Sequence, residues 1–508
     1  MSYNLTAKDI LVLGQKTKSY LIKIELLNNN FQLLDIIEGN CLSCSLDIDS
    51  SADIRRTVTL TMLIRDPKDL VSPTSKIWVN RYLRIYLGIQ YIRTKEILWY
   101  PLILCVPSED TYTYDINTRI LQVKCVDFMS ALINTPLYGT TTHIIPAGSN
   151  IRSALIAALK LANVKKYNIC EISNITDSSA NTVPYDISMD SSSSVYDLVK
   201  KLLALYAGYE IFADLDTIVV QRVPTTIEDG IVLSDDILKS KGLIISESIT
   251  NSLNIKNVTE IFGKQLETDY YSESVTLSGS QYNATVDGLS GLVDGMQIAL
   301  KLPSANPVNA MIKINSLTAY PITDSADVAL QSNSINGYNV FRFHNNCFEY
   351  LGQYQIHGIC MLVSKEPTNE AKAYYQQYFN CDNIFYRVSP NNDFTIEKLA
   401  TSSENYWIDG ARIDTKSGND YDVIYSQELA IERAKYENWK SSRLNRTLSL
   451  TTQTIPFLDV NQKFTYKSKI DNVLRQWIIT KISFDNVVSG TMNLEATEFF
   501  ETYPETYE

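Results

Sequence analysis

The feature that most constrains this chain is a short alternating strand that occurs twice. Arg56-Thr-Val-Thr-Leu-Thr61 and Arg446-Thr-Leu-Ser-Leu-Thr451 each place apolar residues on one face and hydroxyls on the other. Side chains alternate along a strand, so each segment buries one face and leaves the other wet. A second pair has matching spacing. Leu121, Val123, Cys125, Asp127 and Phe128 correspond to Met492, Leu494, Ala496, Glu498 and Phe499. Two readings stand at this point: chance similarity of short strands, or two related β-domains in one chain. The second reading requires the later domain to be split, built from residues 240–262 and 412–502 around an insertion.

The rest of the chain sorts around these strands. Residues 1–138 read as a first β-barrel domain. Its strands include Cys41 to Asp49, Tyr82 to Ile89 and Ile97 to Val106, with a hairpin turning at Asp115 to Asn117. Residues 139–238 read as a small α+β domain. A helix is predicted from Ile151 to about Asn163 behind a Ser149/Asn150 cap. A second follows Ser194, with Asp197 three residues on as a near capping box. A hairpin over Asp214-Leu215-Asp216 closes this domain. Residues 239–264 plus 408–508 make the split second barrel. Residues 265–352, rich in Ser, Gly and Asn, read as a β-sandwich-like insertion. Residues 353–407 read as a connecting α+β segment with a short helix near Thr368 to Tyr378. Tyr425 to Leu444 is predicted to be an amphipathic helix, with Leu429 and Trp439 in its buried stripe. Glu428, Glu432, Arg433, Lys435, Glu437 and Lys440 form its solvated face. The fold class is mainly β with α+β.

Composition narrows function. The 508 residues carry a formal charge of −12, against the basic balance expected of a protein that coats nucleic acid. No stretch reaches the roughly 18 apolar residues of a membrane span. Met1 to Lys8 lacks the pattern of a signal peptide. Eight scattered Cys do not make a disulfide framework and read as free thiols of a reducing compartment. The 32 Tyr fit either an interface-rich surface or codon bias.

Chemistry-bearing motifs are sparse. Gly14-Gln-Lys-Thr-Lys lacks the first half of a phosphate-binding loop. Gly288-Leu-Ser-Gly291 is a Ser/Gly turn rather than a nucleophile elbow. With 57 acids, accidental carboxylate pairs are certain and none stands out. Only His143, His344 and His357 are available as imidazoles. His344-Asn-Asn-Cys347 and His357-Gly-Ile-Cys360 have ligand spacing for a tetrahedral zinc site. The alternative is a hairpin turn at Asn345-Asn346 and a core strand from Ile356 to Val363. Cys41-Leu-Ser-Cys44 lies in a predicted strand, where i and i+3 face opposite sides.

Several further segments form a series along the chain. They are Cys44-Ser-Leu-Asp-Ile-Asp, Ile54-Arg-Arg-Thr-Val-Thr-Leu, Lys76-Ile-Trp-Val-Asn, Trp99-Tyr-Pro-Leu, Tyr114-Asp-Ile-Asn-Thr-Arg and Val126-Asp-Phe-Met. Pro184-Tyr-Asp, Ser194-Val-Tyr-Asp-Leu-Val and Gly208-Tyr-Glu-Ile-Phe continue the series. Tyr421-Asp-Val-Ile-Tyr-Ser, Leu429-Ala-Ile-Glu-Arg-Ala and Leu458-Asp-Val-Asn-Gln-Lys complete it. Taken in order, these segments resemble the hub proteins of bacteriophage tail tips and baseplates in phages of Gram-positive hosts. The insertion has marks of its own in Ile298-Ala-Leu-Lys-Leu-Pro, Ile314-Asn-Ser-Leu, Tyr320-Pro-Ile, Gly337-Tyr-Asn-Val and Phe348-Glu-Tyr-Leu-Gly. With these it resembles a carbohydrate-binding or adaptor module of phage tails.

The hub resemblance implies two β-barrel-like hub domains per chain and a homotrimer whose barrels form a six-fold-like ring. It implies a structural virion protein at the tail tip, synthesised in the host cytoplasm. Such a hub closes the tail tube, adapts six-fold to three-fold symmetry, and gates release of DNA and tape-measure protein. Expected partners are the distal tail protein or tube ring, the tape measure protein, and a tail fibre, spike or receptor-binding protein. No specific nucleic-acid binding is expected. No enzyme activity is expected, and no catalytic, cofactor or metal residue is assigned. The chain ends at Glu508 without a fibre repeat or hydrolase signature, so fibres and cell-wall enzymes are expected on separate chains. Arg56 and Arg446 are the expected structural equivalents, with the Tyr425 to Leu444 helix packing the second barrel. The alternative function is glycan binding by the 265–352 insertion, with Tyr282 and Tyr338 either stacking on sugar or filling the core.

Overall fold

A computed structural model describes residues 6–37, 41–65, 71, 77–78, 81–108, 112–137, 142–173, 181–223, 231–252, 254, 256, 258–263, 266, 268–324, 327–354, 356–363, 384–388, 413–418, 421–424, 426–441 and 445–499. The chain divides into two units. The first draws on Met1–Leu203, Gly208–Asn254 and Leu444–Thr502, the second on Ala204–Ala207 and Ile255–Arg443.

The first unit is organised by a 14-stranded, nearly closed, barrel-like sheet. Its main path runs through Ile244–Ser252, Asn445–Gln453, Thr491–Glu498, Leu474–Phe484, Cys41–Asp49, Arg56–Leu63, Ile120–Asp127, Ile97–Pro107, Tyr82–Gln90, Tyr20–Leu27 and Leu33–Ile37. Three short partners lie off this path: Thr113–Asp115 on Ile120–Asp127, Lys463–Lys467 on Leu474–Phe484, and Ile231–Leu233 on Lys463–Lys467. Arg56–Leu63 alternates strictly, with Val58, Leu60 and Met62 buried and the threonines between them half-buried. One contiguous core joins residues of both repeated segments, from Cys44, Leu60 and Val123 to Leu450, Trp477 and Leu494. Burying each such side chain is worth about 1.5–3 kcal/mol. The alternation is therefore the main force holding each strand in its register.

The α+β elements of the same unit follow their local signals. Asn150 caps Ile151–Leu161 by accepting from the Ser153 N–H at 3.0 Å. Ser194 and Asp197 exchange hydrogen bonds at the start of Val195–Leu203, with Asp197 N–H on the Ser194 hydroxyl at 3.1 Å and Ser194 N–H on the carboxylate at 2.8 Å. Tyr209–Asp214 and Thr217–Arg222 form the hairpin, and Tyr167–Ile169 joins Thr217–Arg222 in parallel.

Among the described residues the second unit holds two sheets. An eight-stranded sheet is built from strands between Tyr270–Ser272 and Cys347–Gln353, over a core that includes Tyr282, Ile298, Ile312, Phe341 and Phe348. A four-stranded sheet orders Ile384–Val388, His357–Val363, Val258–Phe262 and Ile413–Lys416. Two segments expected in the second barrel thus pair here instead. Val258–Phe262 is buried along most of its length, Thr259 and Glu260 included, and finds partners on both sides in His357–Val363 and Ile413–Lys416.

The helix Gln427–Ser441 packs on Val258–Phe262 and His357–Val363 in this second unit, not on the barrel strands. Its buried residues are Ala430, Glu432, Ala434, Tyr436, Glu437 and Asn438, so part of the face expected to be solvated is covered. Gly358 makes the close packing possible. A Cβ built there would lie 2.2 Å from the backbone of Ala430. Small residues at the contact, rather than the Leu429/Trp439 stripe, set how near the helix comes. The predicted helix near Thr368 to Tyr378 lies outside the described residues. No described helix is long and apolar enough to cross a membrane.

Candidate functional site

The most informative geometry is the repeat itself. Arg56–Leu63 pairs antiparallel with Ile120–Asp127, placing Val58 opposite Cys125 and Leu60 opposite Val123. Asn445–Gln453 pairs antiparallel with Thr491–Glu498, placing Leu448 opposite Ala496 and Leu450 opposite Leu494. These are the residues matched in the sequence, now in the same register. A third strand extends each copy. Leu46 lies opposite Val58 and Cys44 opposite Leu60, as Ile249 lies opposite Leu448 and Glu247 opposite Leu450. Sequence reading missed this third match because Ser45-Leu-Asp-Ile-Asp and Ser248-Ile-Thr-Asn-Ser share almost no side chains.

Arg56 and Arg446 occupy equivalent positions in these copies but have different surroundings. Arg446 is part-exposed, with Nη1 2.5 Å from Glu498, which Arg475 also approaches at 3.2 Å. Arg56 is buried. Its Nη2 meets Asp459 at 2.5 Å, and its Nη1 donates to the Ala213 carbonyl. Burial works against its charge, but Asp459, Asp127 and Asp214 together hold it more firmly protonated than a free guanidinium. Neighbouring Arg55 pairs with Glu210 and lies 3.9 Å over the Phe212 ring. Asn461 donates to the same Glu210 carboxylate.

Asp127, the acid at the end of the repeated strand, accepts from the Arg56 N–H and the Met129 N–H, both at 2.9 Å. Burial nevertheless pushes its carboxyl up to about 6, against the pull of Arg56. This polar cluster borders a cavity of about 420 Å³ lined by Arg56, Tyr100, Asp214, Phe457, Asp459 and Phe484, among others. It therefore ties the first strand copy, the 209–222 hairpin and the loop 456–462 together. Such an arrangement locks parts in place.

The other predicted residues fall in separate places. His344 and Cys347 face each other across the turn at Asn345-Asn346 in the eight-stranded sheet. Asn345 and Asn346 take the left-handed backbone that asparagine tolerates. His344 Nδ1 lies 3.0 Å from Asp294, and the Cys347 thiol donates to the His344 carbonyl at 2.8 Å. His357 and Cys360 are on a strand of the four-stranded sheet. There, His357 stacks on Phe262 with ring centroids 4.3 Å apart, and its Nε2 is 3.4 Å from Glu260. The spacing pattern is thus two unrelated pieces. Among the described residues no group of three or more His, Cys, Asp or Glu is placed to hold a metal ion. Cys44, Cys105 and Cys125 are buried in the barrel core, and burial drives the Cys44 and Cys105 thiols well above their ordinary range. His143 sits on Thr142–Ile145, opposite Met189.

In the eight-stranded sheet Tyr282 is core, with its hydroxyl donating to the Ser304 carbonyl at 2.9 Å. Tyr338 is part of a surface cluster instead. Tyr271 is parallel to it at 6.4 Å between ring centroids, and Tyr354 lies 5.3 Å from Tyr271. Glu273 accepts from both the Tyr271 and Tyr338 hydroxyls, and Lys301 Nζ lies 4.7 Å over the Tyr338 ring. Sequence reading named Tyr338 and missed Tyr271, whose neighbourhood depends on strand pairing between distant segments.

Residues 406–503 match a family model described as a domain of unknown function, DUF5048. No curated protein matches the chain by sequence. Solved structures with a similar arrangement include the prophage MuSo2 43 kDa tail protein from Shewanella oneidensis, at 10% identity and a TM-score of 0.46, covering 94% of this chain and 98% of that one. A tail protein from Neisseria meningitidis is similar at 8% identity and a TM-score of 0.44, covering 95% and 97%. The prophage tail protein gp18 from Listeria monocytogenes follows at 8% and 0.42, covering 94% of each chain. These identities are too low to relate any side chain of this protein to a counterpart.

Proposed function

We propose that the chain is a non-enzymatic structural protein of a phage tail tip. In this reading it is a hub that assembles as a homotrimer and closes the tail tube in the virion. It adapts six-fold to three-fold symmetry, holds a fibre, spike or receptor-binding protein, and gates the exit of tape-measure protein and DNA. The observation that carries the reading is the duplicated three-strand unit. One chain presents two copies in the same register, so three chains present six equivalent units. A ring of that kind meets a six-fold tube on one side and a three-fold tip on the other. The sequence resemblance to tail hubs supports the same reading.

The test is the mass of the purified full chain by light scattering, alone and with the distal tail ring protein. A trimer in either sample is expected. A monomer in both, or a two-fold dimer, refutes the hub.

A second reading has its own observation, the Tyr271/Tyr338/Tyr354 cluster with Glu273 and Lys301. Tyrosine faces flanked by a carboxylate and an ammonium suit a surface glycan, offering flat apolar contact and hydrogen bonds to hydroxyls. The full chain and its Tyr271→Ala variant on a glycan array test this. Retention lost in the variant supports it, and no retention by the parent removes it.

A further inference from the structure

Among the described residues the two strand copies meet at a single joint within the chain. Cys41–Asp49 of the first copy pairs antiparallel with Leu474–Phe484 of the second, placing Leu46 opposite Phe484, Asp47 opposite Ser483 and Ile48 opposite Ile482. Each side of that joint has a counterpart in the other copy. Leu46, Asp47 and Ile48 lie opposite Val58, Thr57 and Arg56. Ile249, Thr250 and Asn251 lie opposite the equivalent Leu448, Thr447 and Arg446. Ile249–Asn251 is therefore the counterpart of Leu46–Ile48.

The receiving side repeats as well. Ser483 pairs with Asn493 and Ile482 with Leu494. Asn493 and Leu494 correspond to Gln122 and Val123, and Thr113 pairs with Gln122. Thr113 is thus the counterpart of Ser483, with Tyr112 and Tyr114 standing for Ile482 and Phe484.

Neither counterpart has a second partner strand among the described residues. Ile244–Ser252 pairs only with Asn445–Gln453, and Thr113–Asp115 only with Ile120–Asp127. Their exposure agrees. Ile48 and Ile482 are buried, 5% and 1% exposed, whereas Asn251 is exposed and Tyr112 is 47% exposed. Phe484 is 4% exposed, while Tyr114 is half-buried. Each chain thus has one joint made and the two halves of the same joint unmade, at opposite ends of the duplicated sheet.

We infer that these two edges join between copies: Ile249–Asn251 of one chain adds antiparallel to Tyr112–Tyr114 of the next. The register is that of the internal joint, with Ile249 opposite Tyr114, Thr250 opposite Thr113 and Asn251 opposite Tyr112. The occupant of each edge is a second copy of this chain. An exposed strand edge carries unpaired backbone groups that a second strand satisfies. The contact is head-to-tail, so repetition either closes a ring or runs on as a filament. The inference rests on the ring reading proposed above, and supplies the surface that would build it.

The test uses the full chain, with light scattering and hydrogen exchange on the same samples. As concentration raises the assembled fraction, amides in 249–252 and 112–114 are expected to slow by about tenfold or more, in step with the mass. A cysteine pair then reads the register. Thr113→Cys with Thr250→Cys is expected to give an oxidised intermolecular ladder ending at one closed species. Neither single variant should do so. Asp47→Cys with Ser483→Cys, the same position at the internal joint, serves as the intramolecular control. An assembly whose 249–252 and 112–114 amides stay fast overturns the edge pairing but leaves the ring reading intact. A closed control disulfide without the intermolecular ladder overturns the register. A chain that stays monomeric, with both segments unprotected at its highest soluble concentration and with the ring protein present, overturns both.

Discussion

Replacing Arg56 and Arg446 by methionine puts the same change at equivalent positions of two strand copies, and the structure makes the outcomes unequal. Arg56 is buried, and its loss strands the Asp459 carboxylate and the Ala213 carbonyl. Breaking one side of a buried pair typically costs about 3–5 kcal/mol. Asp459 keeps 19% of its side chain in solvent, which places the expectation toward the lower end of that range. Arg446 is 26% exposed, and Arg475 remains beside Glu498 after its removal. A part-exposed pair with a substitute cation is worth about 1 kcal/mol or less. Urea titration of each variant, followed by fluorescence, should therefore show the Arg56→Met midpoint falling well below that of Arg446→Met. A cycle with Asp459→Asn should recover part of the Arg56→Met loss, because the stranded charge is then gone. Equal midpoints for the two variants, or no coupling to Asp459, would refute the claim that Arg56 locks the polar cluster.

Other outcomes follow from single positions. Asp127 titrates near 6 when folded, against an ordinary value near 3.8. Its contribution is present below about 4 and lost as pH rises through about 6, on the order of 3 kcal/mol in all. Asp127→Asn should flatten that part of the stability profile, and an unchanged profile between pH 4 and 6 would contradict it. Gly358→Ala drives a Cβ into the backbone of the Gln427–Ser441 helix, at 2.2 Å from Ala430. Overpacking of this kind costs about 1–3 kcal/mol or more, so proteolysis should open this helix while the barrel strands stay protected. Tyr282→Phe removes one buried hydroxyl that donates to Ser304 and should cost about 1 kcal/mol in thermal melting.

Much of the local structure was legible from side-chain order alone. Alternation in Arg56–Leu63 and its partner Arg446 segment marked strands, because a period of two has one consistent burial pattern. Capping chemistry marked Ile151–Leu161 and Val195–Leu203, because Asn150, Ser194 and Asp197 bond within a few residues of themselves. The candidate site was partly legible. Arg56 matches Arg446 and Asp127 matches Glu498 in the spacing of the repeated strands, and Tyr338 is one of the aromatic residues of the insertion. The zinc-like spacing of His344, Cys347, His357 and Cys360 was indistinguishable from coordination until strand pairing put its halves on different sheets.

What lay beyond the sequence depends on contacts between residues far apart in the chain. Ile244–Ser252 equals Cys41–Asp49 by backbone register, not by side chains, so comparison of residues does not find it. The burial of Glu432 and Glu437 depends on which sheet the helix meets, a choice made by Gly358 and Ala430 across a long separation. Arg56 and Arg446 have the same local sequence and different neighbours, because Asp459 and the 209–222 hairpin reach only one of them. Period and capping are near-neighbour properties and are written in the order of residues. Which edges are covered, and which charges are buried, is set by distant strands competing for the same partners.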